Sequence, residues 1–311
     1  MERLIAIIGP TAVGKTKVGI DLAQRLGSEI ISGDSMLVYR GLDIGTAKPD
    51  LAERRGVIHH LIDILEPNAE FSVVDFQTQA GQLITTVNQR EKIPVIVGGT
   101  GLYVKALLEG YRFSPVIGDD EIRSRLTALA ETHGSGFLHA MLTELSPDTA
   151  AKLHPNDQRR IIRSLEVHQL SGKTVSRLKA PPSSLVYDAL VLGLTTNREK
   201  LYDRINRRVD AMIAAGLVEE VSRLLAAGVP TDSLAMQGIG YKEIAAALSG
   251  ETDLPAAVDQ IKQATRRFAK RQLTWFRKMP YIQWIDTDTF ATYDEMLVYI
   301  YRLVAGKFNL G

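Results

Sequence analysis

The chain has 311 residues, with 37 lysines and arginines against 36 aspartates and glutamates, and no cysteine. Disulfides, thiolate metal sites and cysteine nucleophiles are therefore excluded, and with a net charge of +1 any affinity for nucleic acid must come from local basic patches. No apolar run approaches the ~20 residues of a membrane helix, and Met1-Glu2-Arg3 leads straight into an apolar run, so no signal peptide, no membrane and a cytoplasmic location are expected.

Leu4 to Ile8 reads as a buried strand. It feeds Gly9-Pro10-Thr11-Ala12-Val13-Gly14-Lys15-Thr16, which opens an amphipathic helix ending near Leu26. Strand, glycine-rich turn and helix form the setting in which G-x-x-x-x-G-K-[ST] cradles phosphates. The helix start offers unpaired N–H groups and the positive end of its dipole. Gly9 and Gly14 allow close backbone approach, Lys15 adds a point charge, and the Thr16 hydroxyl suits Mg²⁺. The chain is thus expected to bind a diphosphate or triphosphate.

A second strand, residues 29–32, ends at Gly33-Asp34-Ser35-Met36. A carboxylate at a strand end faces the crevice above such a sheet, making Asp34 a candidate acid–base or metal-organising group; a helix cap or turn residue is the alternative. Residues 38–50 lack a period and are rich in turn formers, so an irregular surface segment is expected. Residues 57–64 read as a strand carrying His59 and His60. Adjacent strand residues face opposite sides, so one histidine is expected at the crevice and the other exposed or hydrogen-bonded. Ser72 with Asp75 caps a helix running to about Arg90. A buried strand over residues 93–97 then enters Gly98-Gly99-Thr100-Gly101 and another helix over 102–108. This second strand–glycine–helix junction adds an anion site. Thr100 is a phosphate-binding candidate or a plain N-cap. No apolar strand ends in the aspartate of a motor-type NTPase, Asp63 being a poor fit, so water activation is not expected.

Residues 113–187 are helical in pattern, with turns at Gly134-Ser135-Gly136 and Ser146-Pro147, and read as an insertion between two stretches of the α/β core, 1–112 and 188–311. The insertion carries a first basic patch, Arg159, Arg160, Arg163, Lys173, Arg177 and Lys179. Helical spacing places Arg159 and Arg163 on one face, suited to phosphate or RNA backbone, or simply solvated. The core resumes with a strand near residues 189–194 and a helix capped by Asn197, which carries Arg204, Arg207 and Arg208. A helix ending at Gly228 follows, then Gln237-Gly238-Ile239-Gly240-Tyr241-Lys242-Glu243 before the next helix. A long helix over residues 255–279 carries a second patch, Lys262, Arg266, Arg267, Lys270, Arg271, Arg277 and Lys278, with Phe268, Trp275 and Phe276 expected to pack its other face. A strand at 281–285 and a helix at 293–305 close the chain.

Taken together the motifs resemble the bacterial tRNA dimethylallyltransferase (IPP transferase) family. The likeness rests on the phosphate loop, the run from Asp34 to Pro49, His59-His60-Leu61-Ile62-Asp63, Gly98-Gly99-Thr100-Gly101-Leu102-Tyr103, Gln158-Arg159-Arg160-Ile161, Gln237 to Glu243 and Lys270 to Arg277, in family order. It implies a P-loop α/β core of parallel sheet flanked by helices, with a mainly helical insertion that touches tRNA. It implies transfer of a dimethylallyl group from dimethylallyl diphosphate to N6 of the adenosine beside the anticodon, with Mg²⁺ held partly by Thr16. Asp34 is then the base, Thr100 positions the diphosphate, and Arg204 joins the phosphate clamp. Contacts to the tRNA anticodon stem-loop are expected from Asp34, Ser35, Met36, Leu37, Thr100, Arg123, Gln158, Arg159, Arg160, Ile161, Ile162, Gln237, Gly238, Ile239, Gly240, Tyr241 and Lys242. A monomer is expected. The competing readings are a prenyltransferase acting on free adenine nucleotide, a small-molecule kinase and a non-catalytic RNA-binding protein.

Overall fold

The computed structural model describes residues 1–113, 116, 118–172 and 185–310. Lys173, Arg177 and Lys179 of the first basic patch lie outside them. The chain forms two compact units, Met1–Gly110 with Pro181–Gly311, and Tyr111–Ala180.

The first unit is built on β1 (Arg3–Ile8). Its apolar residues are buried on both faces, the mark of a strand inside a parallel sheet covered on both sides. Leu4, Ala6 and Ile8 enter one core layer with Phe76, Ile84, Val104 and Phe276. Ile5 and Ile7 enter the other with Val18, Leu22, Ile300 and Val304. β2 (Ile30–Ser32), β3 (His59–His60), β4 (Val95–Gly98), β5 (Asp188–Thr195) and β6 (Ile282–Asp286) complete a six-stranded sheet of order β3-β2-β4-β1-β5-β6. Every pairing is parallel. Ile8 is level with Gly98 and Gly193 on either side, so the carboxyl ends of the three central strands open at one height. That is where ligands bind in open α/β sheets.

Helices α1 (Lys15–Arg25), α2 (Leu51–Arg54), α3 (Val73–Gln89) and α4 (Gly101–Leu108) belong to the first half of this unit. α3 starts with a full capping box, Ser72 and Asp75 each holding the other's backbone. α1 and α4 differ: neither has an acidic residue in its first turn nor a side-chain cap bond. Their first amides and positive dipole ends are left for an anion. After β5 come α9 (Arg198–Ala214), α10 (Leu217–Ala226), α11 (Tyr241–Leu248), α12 (Leu254–Phe276) and α13 (Tyr293–Phe308). Asn197 caps α9 through Glu199 and Lys200 N–H.

The second unit contains α5 (Asp120–His133), α6 (Ser135–Leu145), α7 (Pro147–Ala150) and α8 (Gln158–Ser171). Leu126, Leu138, Leu142, Ile161 and Leu165 form its core. The turn expected at residues 134–136 is one residue, Gly134, because Ser135 already opens α6.

Two other expectations are corrected. The strand expected over residues 57–64 shrinks to His59–His60. Leu61 and Asp63 adopt left-handed backbone, and the amides of Asp63, Ile64 and Leu65 bond Leu37 and Val38 carbonyls rather than a sheet neighbour. Residues 38–50 are irregular as expected, and they lie at the surface only in part, with Arg40, Gly41, Asp43 and Asp50 exposed. Val38, Tyr39 and Leu42 are buried, and the Lys48 side chain, 4% exposed, pairs with Asp43 and Asp63. Asp63, half-exposed and also near Arg54, is thus a counter-charge to two cations.

Candidate active site

The phosphate loop leaves β1 through Gly9, at φ +146°, where a Cβ would stand 2.6 Å from the Leu194 carbonyl. Only glycine passes there. Ala12 adopts a left-handed conformation without being glycine, and Gly14 caps α1 at φ 103°. A side chain from α12 fixes this loop: Gln272 accepts from Thr11 N–H at 2.8 Å and donates to the Gly99 carbonyl at 2.9 Å. One amide thereby ties the phosphate loop to the glycine turn after β4. Sequence reading placed Gln272 only within a motif; its neighbours' charges hid it.

Two cavities meet at the loop. The inner one is lined by Thr11, Lys15, Thr16, Asp34, His59, Arg208 and Gln272, with an apolar wall of Ile30, Leu37, Ile62, Val97 and Phe268. The outer one is lined by Ala12, Gly14, Lys15, Thr16, Lys17, Arg55, Arg204 and Arg208, with Glu53 its one acid. The outer space, about 510 Å³ against about 100 Å³, has the room for a charged phosphate end. Lys15, Thr16 and Arg208 belong to both.

Lys15 is half-buried, and its ammonium donates to the Pro10 carbonyl at 2.8 Å. Burial pushes its pKa down to about 8, against the pull of the Asp34 carboxylate and with Arg208 adding to the fall. Arg204 and Arg208 sit one turn apart on α9, and among the described residues neither has an ion-pair partner. Lys17 and Arg55 share one counter-charge, Asp21. Arg204 was expected at this site; Arg208 was seen on the helix but not assigned a role, since spacing alone does not say which arginine turns inward.

Asp34 follows β2. One carboxylate oxygen accepts from Met36 N–H at 2.9 Å, and among the described residues the other oxygen has no hydrogen bond. Thr100 does not line the inner cavity. Its hydroxyl oxygen accepts from Ser35 N–H at 3.1 Å, so it anchors the turn that carries Asp34. His59 lines the inner cavity and donates from Nδ1 to the Val57 carbonyl at 2.8 Å. Burial lowers its pKa, and its buried Nε2 has no partner, so it presents a neutral acceptor. His60 instead bonds Glu29 at 2.7 Å.

The expected RNA contacts divide. Met36 and Leu37 flank the Asp34 turn, and Leu37 lines the inner cavity. In the helical unit Arg159 is exposed and Arg160 is exposed beside Asp157. Ile161 is fully buried in that unit's core, which removes its side chain from any RNA face, and Ile162 packs against the same core. Arg163, expected to share a face with Arg159, is held at 2.5 Å by buried Glu166, and Arg123 at 2.9 Å by the same carboxylate. Gln237 and Lys242 are exposed. Tyr241, 1% exposed, is core and not an RNA contact, and Gly240 is buried with its N–H bound by Glu243.

On α12 the second patch also splits. Lys262 pairs with Asp210, and Arg266 bonds Asn206, both on α9. Arg267, Lys270, Arg271 and Lys278 stay exposed around an open hollow floored by Trp275. Phe276 is buried, as a packing face requires, whereas Phe268 turns to the inner cavity.

Comparison with known proteins gives a consistent result. The model of the family described as IPP transferase matches residues 37–279. A tRNA dimethylallyltransferase of Desulforudis audaxviator is 52% identical over 290 residues, 92% of each chain. That of Bacillus velezensis is 49% identical, covering 99% of this chain and 98% of its own. Among solved structures, the tRNA isopentenylpyrophosphate transferase of Bacillus halodurans superposes with a TM-score of 0.76 at 45% identity, covering 99% of this chain and 97% of that one. A eukaryotic dimethylallyltransferase acting on tRNA has a TM-score of 0.75 at 30% identity, covering 92% of this chain and 74% of that one.

Proposed function

The chain belongs to the IPP transferase family, and on that premise we infer how its two cavities perform the work of a tRNA dimethylallyltransferase. The enzyme transfers a dimethylallyl group to N6 of the adenosine beside the anticodon of tRNA. The donor we propose is dimethylallyl diphosphate. The observation that carries this reading is the meeting of unpaired cations and a half-free carboxylate across one opening: Lys15, Arg204 and Arg208 toward the outer cavity, Asp34 in the inner one.

The diphosphate lies against the loop amides, the α1 N-terminus, Lys15, Arg204 and Arg208. The five-carbon unit lies against the apolar wall of Ile30, Leu37, Val97 and Phe268. As the allylic C1–O bond breaks, its electron pair goes to the diphosphate, where fixed donors and cations stabilise the growing charge without reorganising. The adenine N6 lone pair forms the new bond to C1. The N6 proton passes to the free oxygen of Asp34, whose other oxygen is held by Met36 N–H. A carboxylate so oriented is a general base for a nucleophile too weak to react while it keeps its proton.

Thr16 is the one protein ligand we propose for Mg²⁺. Among the described residues no cluster of three or more His, Asp or Glu side chains is arranged to hold a metal, which fits an ion carried mainly by phosphate oxygens and water, the habit of Mg²⁺. When bound it neutralises charge on the diphosphate.

For tRNA we propose the anticodon stem-loop as the recognised part, gripped through its phosphates by the exposed Arg159 and Arg160 and by the α12 patch; such contacts position rather than specify. A loop base is cheaper to extrude than a duplex base. We also propose a cytoplasmic monomer; among the described residues no helix is long and apolar enough to cross a membrane. Mass spectrometry of unmodified tRNA, and separately of AMP, incubated with protein, dimethylallyl diphosphate and Mg²⁺ tests the reading. One added five-carbon unit on the anticodon-loop purine is expected. Modification of AMP in its place, or no addition, refutes it.

A further inference from the structure

We infer that Glu220 is a positioning residue for the transfer reaction: from α10 it fixes the loop that forms one wall of the inner cavity, and the Gln237–Glu243 segment backs it. This rests on the reading of the inner cavity as the place of transfer.

Glu220 is 2% exposed. Its carboxylate accepts four hydrogen bonds. Asp43 N–H and Ile44 N–H reach one oxygen at 3.1 and 2.8 Å. Gly45 N–H and the Tyr241 hydroxyl reach the other at 3.1 and 2.6 Å. Among the described residues no cation pairs with it. A buried carboxylate is tolerated only where its lone pairs are filled, and three successive amides plus a phenol fill them. The reverse also holds. Residues 43–45 lie in neither helix nor strand, so no ladder supplies their N–H groups, and Glu220 does so from elsewhere in the fold. Burial, and then the neighbouring Glu220 charge, pushes the Tyr241 phenol well above its ordinary pKa, so it stays a donor.

Shape reinforces the charge pattern. A Cβ on Gly45 would stand 2.6 Å from the Tyr241 ring, and one on Gly238 2.6 Å from the terminal methyl of Met36. The 237–243 segment therefore touches two loops at once, the Asp34 turn through Met36 and the 43–45 stretch through Tyr241. Just beyond that stretch, Thr46, Ala47 and Pro49 line the inner cavity. Lys48 ties the same stretch to Asp63 and, at 2.8 Å, to the Tyr39 carbonyl. None of these residues lines the outer cavity. Loss of Glu220 should thus disturb the wall around the acceptor base and leave the diphosphate clamp intact.

The test compares wild type with Glu220→Gln and Tyr241→Phe on three readouts: amide exchange at 43–45, turnover with tRNA, and affinity for inorganic diphosphate. Glu220→Gln keeps size but must point an NH₂ at N–H donors. It should speed exchange at 43–45 at least tenfold and lower kcat at least tenfold, with diphosphate affinity within twofold. Tyr241→Phe keeps the three amide bonds and should lower kcat about threefold. If Glu220→Gln does not fold, Tyr241→Phe carries the test on the other two readouts, kcat lowered with diphosphate affinity within twofold. Unchanged exchange in Glu220→Gln, unchanged kcat in either variant, or parallel loss of diphosphate affinity each overturns the proposal. Wild-type protein that holds 43–45 yet adds no prenyl group to tRNA refutes the functional reading instead.

Discussion

The half-buried lysine of the phosphate loop makes diphosphate affinity depend on pH in a range where dimethylallyl diphosphate itself no longer titrates. With the Lys15 pKa near 8, about nine-tenths of empty sites are protonated at pH 7 and about one-tenth at pH 9. An anion selects the charged form, so the bound state pulls this pKa back up. Apparent affinity should therefore fall about tenfold between pH 7 and pH 9, equivalent to ~1.4 kcal/mol. The ligand's last phosphate ionisation, at roughly pH 6, is complete before this window opens. Titration calorimetry with dimethylallyl diphosphate, without tRNA so that no transfer occurs, measures the profile across the range, and Lys15→Arg is the control, since arginine stays charged throughout. A wild-type profile without an inflection near pH 8, or the same inflection in Lys15→Arg, refutes the reasoning. The sign for folding is opposite in sense: the empty native state binds fewer protons at Lys15 than the unfolded chain between pH 8 and 10.5, so this group adds stability as pH rises through that window.

Asp34→Asn removes the proton acceptor but keeps the shape, and should lower kcat by at least about 10²-fold with tRNA affinity unchanged in filter binding; near wild-type turnover would remove Asp34 as base. Gln272→Leu strands the Thr11 N–H and the Gly99 carbonyl and should cost about 3 kcal/mol in urea unfolding while raising KM for the diphosphate substrate; an unchanged midpoint would show that the loop holds itself. Arg159→Ala with Arg160→Ala should reduce the slope of log affinity for tRNA against log salt by about 2, whereas Arg163→Ala should instead lower the unfolding midpoint of the helical unit, since buried Glu166 then keeps Arg123 as its one counter-charge.

What was legible in the sequence is what neighbours in the chain decide. The Ser72–Asp75 box and the Asn197 cap each need only a few residues, and the phosphate loop declares itself within eight. The β3 boundary was not legible, because a run of apolar residues does not show that Leu37 and Val38 outbid the sheet for the amides of 63–65. Nor does an arginine in a helical pattern reveal its partner. Arg123, Arg160 and Arg163 look alike in text, yet two of them close on one buried carboxylate, Glu166. The Gln237–Lys242 motif misled for a related reason. Its spacing advertises a site, while Tyr241 lies inside the protein, bonded to a residue 21 positions away.

The site itself depends on contacts between residues far apart in the chain. Gln272 meets Thr11 across 261 positions and Glu220 meets Asp43 across 177, and both act on loops rather than on substrate. The reaction explains the division of labour. A carbon leaving diphosphate needs strong positive charge at one end and a carboxylate at the other, and left to themselves the two would pair and quench each other. Asp34 does pull the Lys15 pKa upward, but burial outweighs it, and neither Arg204 nor Arg208 has a carboxylate partner among the described residues. The phosphate loop is pinned from behind by Gln272, and the turn that carries Asp34 by Thr100. The unpaired cations then find their counter-charge only when a diphosphate arrives. In the proposed mechanism that leaves Asp34 free for the adenine proton, and electrostatic readiness of this kind costs no rearrangement at the moment the C–O bond breaks.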